Sequence, residues 1–325
     1  MGALRQLTVS QQVGLLFVAL FGLLAVVTAA AVWRTVRDNG DDTTEEQTLQ
    51  ERFMRDLRAV WVGAVLFWIA WASGAFVSTL LFGVLSFLAL REFVTLTHTR
   101  RGDHRSLLLA FFAVLPLQYV LVGWQWFDLF TVFIPVYVFL AIPVVSALGN
   151  DPKRFLERTA KIQWGIMVCV YGMSHAPALL LLDLPDYEDR GAFMVLYLVG
   201  VVAVAQIAQE IASRRLRSRP AAGAISRSFS WRAWFIGALS AALLGALLYW
   251  ATPFKPVPAL VMGFLAGGSG TLGEFVMRAL KRDAGVHHWG GRASVTGAVG
   301  LLDRVAPLCF AAPVFFHAVR WYFGW

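Results

Sequence analysis

Apolar runs of about 20 residues recur along this chain, and that is the length a helix needs to cross the hydrocarbon core of a bilayer. Ten can be marked, at roughly 13–33, 59–73, 76–94, 107–123, 126–148, 162–182, 191–212, 233–251, 257–277 and 305–323. A lipid interior offers no water to backbone N–H and C=O groups, so runs of this kind must satisfy their hydrogen bonds internally, as helices. The expected fold is therefore all-α: a polytopic integral membrane protein of about ten transmembrane helices, forming one domain over residues 1–325. Composition agrees, with 58% hydrophobic and 15% charged residues against ~25% charged in soluble domains. The break at Ala72-Ser73-Gly74 leaves the second and third runs as two spans or one bent element. The first run ends on Thr28-Ala29-Ala30-Ala31, a small-residue stretch of the kind cut after a secretory signal. Its apolar core exceeds the ~7–15 residues of a signal-peptide h-region, which favours a first membrane helix.

Lys and Arg set the orientation of such a chain, because cationic loops stay in the cytoplasm. The loops after the first, third, fifth, seventh and ninth runs carry 24 of the 28 cations. Arg5, Arg190, Lys255 and Arg320 remain for the other side. The expected placement is thus the cell inner membrane, multi-pass, with basic loops in the cytoplasm and both termini outside. The net charge of +8 follows first from this topology and then from attraction to anionic lipid headgroups, so nucleic acid is not an expected partner. Trp124-Gln125-Trp126-Phe127 and Trp321-Tyr322-Phe323-Gly324-Trp325 fit interfacial aromatic belts.

The most hydrophilic stretch, 34–58, mixes arginines with Asp38, Asp41, Asp42, Glu45, Glu46, Glu51 and Asp56, and reads as a charged cytoplasmic loop. Glu51 to Arg58 is either a short amphipathic surface helix or part of a structureless hairpin. Gly267 to Gly273 contains a literal G-x-G-x-x-G, but no strand precedes it, so dinucleotide binding is rejected. Its glycines permit close helix packing, and four in seven positions are expected to loosen or break the helix beside a polar cavity. Cys169 and Cys309 lie in apolar spans without metal spacing and read as core residues. Ser174-His175 reads as a hydrogen-bonded core pair or, less favoured, as a cavity lining. The acids Asp183, Asp186, Glu188 and Asp189 read as a solvated external turn.

Chemistry concentrates beyond residue 270. Glu274, Arg278, Lys281, Arg282 and Asp283 are followed by His287, His288, Asp303 and Arg304, all between two membrane-length runs. On a helix, Glu274, Arg278, Lys281 and Arg282 share one face. Carboxylates that hold a divalent cation beside basic groups that hold phosphate oxygens are what phosphoryl and nucleotidyl transfer require. The bland alternative is a basic loop whose acids pair with its own cations.

The order of these residues resembles the signature of the CDP-diacylglycerol synthase (phosphatidate cytidylyltransferase) family, approximately G-D-L-x-x-S-x-x-K-R-x-x-G-I-K-D and then P-G-H-G-G-x-x-D-R-x-D. Gly273-Glu274-Phe275, Lys281-Arg282 and Gly285-Val286 match the first element; Gly297, Gly300 and Leu301-Leu302-Asp303-Arg304 match the second. Upstream, Ile225-Ser226, Ser230-Trp231 and Phe235-Ile236-Gly237 resemble an I-S-P-x-K-T-W-E-G-F-I-G segment. Val204-Ala205-Gln206 and Arg91-Glu92-Phe93 are similar to a V-A-Q run and an R-E-F of the family. The region 200–320 thus resembles the catalytic part. The chain departs from the pattern at Ala203, Arg227, Phe229, Arg278, His287-His288, Ala298 and Ala306. His287-His288 replaces Lys-Asp, and neutral imidazole suits softer metals than magnesium.

The resemblance implies transfer of a cytidylyl group from CTP to phosphatidate, giving CDP-diacylglycerol and pyrophosphate in phospholipid biosynthesis. It implies catalytic roles for Glu274, Asp303, Lys281 and Arg304, with Arg282, Arg278, Ser226 and Ser230 binding substrate. Glu274 and Asp303 would hold a divalent metal, magnesium by preference. CTP, phosphatidate or a similar anionic lipid, and the bilayer are the expected partners, and a homodimer is left open. The alternative is a catalytically weakened paralogue that binds lipid or nucleotide, or regulates a partner phospholipid enzyme. A transporter trails, since no internal repeat is visible.

Overall fold

The structure is a computed structural model that describes residues 61–285 and 300–324 apart from 66–67, 70–71, 98, 185–186, 188–189, 217 and 227, with Leu57 and scattered positions over 11–33. The charged loop 34–58 (Leu57 apart), His287-His288 and the signature positions over 286–299 therefore lie outside the described residues. The chain divides into two compact units, Met1–Gly74 and Ala75–Trp325. Within the first, Trp61 Nε1 donates to the Thr28 hydroxyl at 2.9 Å, and the Phe21 and Trp61 rings meet edge to face at 5.5 Å. Residues of the first two expected spans are thus in contact.

The second unit is built from long helical runs, here α1 (Gly74–Leu96), α2 (Arg101–Gly123), α3 (Phe127–Ala147), α4 (155–180), α5 (Gly191–Leu216), α6 (Trp231–Leu247), α7 (Pro256–Asp283) and α8 (Leu301–Phe323). Helix α1 starts on Gly74 at φ +82°, a conformation that glycine adopts without steric cost, and this is where the sequence breaks. Among the described residues the only strand-like feature is one antiparallel bridge between Ala222 and Ser226. The protein is an all-α polytopic membrane protein. Six of its described helices are long and apolar enough to span, against about ten expected over the whole chain. The first two expected spans are described only in part. Helix α6 is an apolar helix of 17 residues, at the short limit for a crossing, and α4 opens with the charged turn Glu157-Arg158.

Polar side chains inside the apolar rods tie one helix to another. Ser86 of α1 donates to Cys169 O of α4 at 2.6 Å, and the Ser106 and Ser146 hydroxyls of α2 and α3 share a bond of 2.7 Å. Proline explains two further ties. Pro135 and Pro143 have no N–H to return to Thr131 O and Phe139 O one turn earlier. The Tyr171 hydroxyl donates to Thr131 O at 3.2 Å, and Gln163 Nε2 donates to Phe139 O at 2.7 Å, both from α4. Neighbouring helices thus restore what the prolines remove.

His175 is fully buried, its Nδ1 lies 2.7 Å from Tyr171 O, and it sits among the rings of Phe130, Tyr171 and Phe316. It is the hydrogen-bonded core histidine of the two readings offered above. In the first turn of α4, Arg158 is 6% exposed and bonds Asp151 at 2.9 Å and Asp103 at 3.4 Å, pinning the 100–103 turn to the 149–154 turn. The Lys153 amide and the Arg158 and Arg100 guanidinium groups hold the Asp151 carboxyl below the usual carboxylate range.

The glycine-rich stretch behaves differently from expectation. Helix α7 runs unbroken through Gly267, Gly268, Gly270 and Gly273. The glycines serve contact rather than flexibility. A Cβ on Gly263 would come 2.6 Å from Ala241 O of α6, and one on Gly273 would strike the Phe310 ring of α8. Small residues let the backbones approach, and tertiary packing overrides the weak helix propensity of glycine.

Candidate active site

Helix α7 carries its polar residues at the end opposite its prolines. Glu274, Arg278 and Lys281 follow at offsets of four and seven, so they line one face, with Glu274 and Lys281 about 10.5 Å apart along the axis. Three elements converge on this face. From α5, Gln206 Nε2 donates to Glu274 Oε2 at 3.1 Å. From the loop between α5 and α6, the Ser226 and Ser228 hydroxyls accept from one Arg278 nitrogen at 3.0 and 2.7 Å. The other Arg278 nitrogen reaches Glu274 Oε1 at 2.6 Å. From the first turn of α8, Asp303 meets Lys281 Nζ at 2.5 Å.

The loop is held in place by an aromatic anchor. Phe229 is 2% exposed and stacks on Phe275 of α7, with ring centroids 4.2 Å apart. The bridge between Ala222 and Ser226 folds the loop back on itself, and Ala221 N donates to Phe229 O at 2.9 Å. Ser230 then ends the loop as the N-cap of α6, accepting from Ala233 N at 3.3 Å, with its hydroxyl 2.7 Å from that of Ser218. An N-cap satisfies one of the orphan N–H groups that open a helix.

The start of α8 is fixed from α1. The Glu92 carboxylate, 3% exposed, accepts from the N–H groups of Gly300, Leu301 and Leu302 at 2.9, 2.9 and 3.3 Å. A carboxylate there complements both the unpaired donors and the positive end of the helix dipole. Asp303 follows in the same turn, so Glu92 sets where Asp303 can reach.

The structure thus brings Glu274, Arg278 and Ser226 into one bonded group and Asp303 and Lys281 into a second on the same face. Ser230 acts as a helix cap. Arg282 and Arg304 are exposed at the same end. Ser228 joins the site without having been singled out, and so do Gln206 and Glu92, which stand in the family-like V-A-Q and R-E-F runs with no role given to them there. Ser228 lies two positions from Ser226. Gln206 and Glu92 are polar groups inside apolar runs, which is a functional signal by default and the one that could have found them.

A divalent metal finds the right donor type here, since Glu274 and Asp303 are carboxylates. Among the described residues, the arrangement of these two carboxylates does not fit it. Glu274 has one oxygen on Arg278 and the other on Gln206, and Asp303 is bonded to Lys281. Among the described residues no group of three His, Cys, Asp or Glu side chains could hold a metal ion.

Comparison with known proteins supplies the family. Residues 53–322 match the model of the cytidylyltransferase family. The chain is also 31% identical over 309 residues to YnbB of Escherichia coli (strain K12), described only as an uncharacterized protein, covering 93% of this chain and 96% of that one. The match runs through the described helices and both halves of the site, and this chain belongs to the cytidylyltransferase family of CTP-using nucleotidyltransferases.

Proposed function

We propose that this protein transfers the cytidylyl group of CTP to phosphatidate, yielding CDP-diacylglycerol and pyrophosphate. The observation that carries this is the α7 face, where Arg278 and Lys281 stand at the polar end of a membrane-length helix. A lipid phosphate at headgroup depth and a nucleotide arriving from water can meet only at such an end. A non-bridging oxygen of the phosphatidate phosphate attacks the α-phosphorus of CTP. The bond from that phosphorus to the oxygen of the β-phosphate breaks, and pyrophosphate leaves with the electron pair. Both reactants are anions, so the residues must screen charge and hold the line of attack. Arg278 and Lys281 supply charge at the centre, Arg282 and Arg304 at its exposed rim, Ser226 and Ser228 orient the Arg278 guanidinium, and Asp303 positions the Lys281 ammonium. Phospholipid synthesis in the inner membrane, with the basic loops and this site facing the cytoplasmic supply of CTP, belongs to the same proposal.

Purified protein in vesicles of phosphatidylcholine and phosphatidate should release pyrophosphate from CTP, and Asp303→Ala should reduce the rate by about 10²-fold or more. Absence of release with well-folded protein, across several divalent ions, removes the assignment. A second reading, a weakened paralogue that binds without turnover, is favoured by the engagement of both acids with cations of their own chain. It predicts lipid or nucleotide binding with no pyrophosphate.

A further inference from the structure

The acids of this site are already neutralised from within. Arg278 bonds Glu274 at 2.6 Å and reaches two hydroxyls, and Lys281 bonds Asp303 at 2.5 Å. The four side chains are 31%, 30%, 17% and 26% exposed in the order Arg278, Glu274, Lys281, Asp303. They are therefore reachable by a small anion yet shielded enough that their charges are not lost to bulk screening. An ion held between Glu274 and Asp303 would have to displace two charge-assisted bonds and would add positive charge beside two existing cations.

We propose that Arg278 and Lys281 are the resident cations of this site, and that they bind a phosphate or pyrophosphate group without a protein-bound metal ion. The inference rests on the reading of this face as the transfer site and deepens it by naming how its anions are held. Guanidinium presents a planar fork of donors that matches two oxygens of a phosphate, while the lysine ammonium is a point charge from a residue less than one helical turn away. Ser226 and Ser228 fix the fork from the loop side, and Gln206 fixes Glu274 from α5. In the resting site each carboxylate holds its cation in position. An arriving phosphate, with more negative charge than one carboxylate, takes those bonds over. Any magnesium would enter with the triphosphate as part of the substrate.

The test uses the full chain in phosphatidylcholine nanodiscs and radiolabelled CTP in the presence of EDTA. CTP should bind in EDTA within about threefold of its affinity with magnesium. Arg278→Ala and Lys281→Ala should each weaken binding by about tenfold or more, the scale of one lost charge-assisted bond. Arg278→Lys should retain more binding than Arg278→Ala, which separates lost charge from lost folding. Glu274→Gln should tighten CTP binding, because it removes the charged competitor for Arg278. Manganese alone should not bind the protein. CTP binding that appears only with a divalent ion, or manganese bound without nucleotide and released by Glu274→Gln, overturns the proposal. Discs containing phosphatidate distinguish the source of the phosphate: displacement of CTP places the lipid headgroup on these cations, and its absence places the nucleotide there. Metal-free CTP binding without cytidylyl transfer would remove the proposed function and keep this inference. Transfer that depends on manganese bound to the protein alone would do the reverse.

Discussion

Replacing Glu92 with glutamine keeps size and shape but removes the charge that closes the start of α8. The carboxylate accepts from three backbone N–H groups, two at 2.9 Å and one at 3.3 Å, and is 3% exposed. A bond to a charged partner contributes roughly 1.5–3 kcal/mol against roughly 0.5–1.5 for a neutral one. Glutamine offers one acceptor oxygen, and its amide hydrogens face donors. The loss is therefore about 1 kcal/mol of charge assistance on each of the two short bonds. Weakened interaction with the helix dipole adds about 0.3–1 kcal/mol. Glu92→Gln should thus destabilise by about 2–3 kcal/mol, and Glu92→Ala, which strands buried donors, by more. Titration of the folded protein in mixed micelles with sodium dodecyl sulfate, followed by tryptophan fluorescence, gives the difference. Because Asp303 sits in the same turn, cytidylyl transfer measured well below the unfolding midpoint should fall as well. A difference below about 0.5 kcal/mol, with transfer unchanged, would show that the helix start does not depend on this carboxylate.

Three other substitutions probe separate parts of the account. Phe229→Ala removes a ring that is 2% exposed and stacked on Phe275, and should cost about 3–5 kcal/mol by the same titration while loosening the Ser226 and Ser228 hold on Arg278. Gly273→Ala forces a methyl against Phe310 where α7 and α8 touch, and should destabilise by about 1–3 kcal/mol, visible as a lower melting temperature in detergent. Asp151 has its carboxyl held below the ordinary range, so its contribution is present above the unfolded value of about 3.9 and is lost as pH falls through the folded one. The melting-temperature gap between Asp151→Asn and wild type should accordingly be full at neutral pH and close below about pH 4.

The membrane architecture was legible because hydrophobic length is a strong and local signal. Helix α5 was expected over 191–212 and found over Gly191–Leu216, and α8 over 305–323 and found over Leu301–Phe323. The glycines of α7 were misjudged because propensity is local, whereas their reason lies across the interface in Ala241 and Phe310. Their spacing signalled close packing, yet nothing in it showed that packing would keep the helix unbroken. In the site, the i to i+4 spacing of Glu274 and Arg278 and the shared face with Lys281 could be read directly. The pairing of Lys281 with Asp303 could not, since it depends on how α7 and α8 cross. Glu92 is separated from Gly300 by most of the fold, so its role as a helix cap had no sequence signature beyond a carboxylate in an apolar run.

The central claim is that this chain joins a cytidylyl group to a phospholipid phosphate at the polar end of α7. The direct measurement is recovery of label in the organic phase after incubating the reconstituted protein with phosphatidate and CTP labelled at the α-phosphate. The account predicts a labelled lipid whose formation needs both substrates and is lost in Asp303→Ala. Folded wild-type protein that leaves all label in the aqueous phase, while still binding CTP, would contradict it.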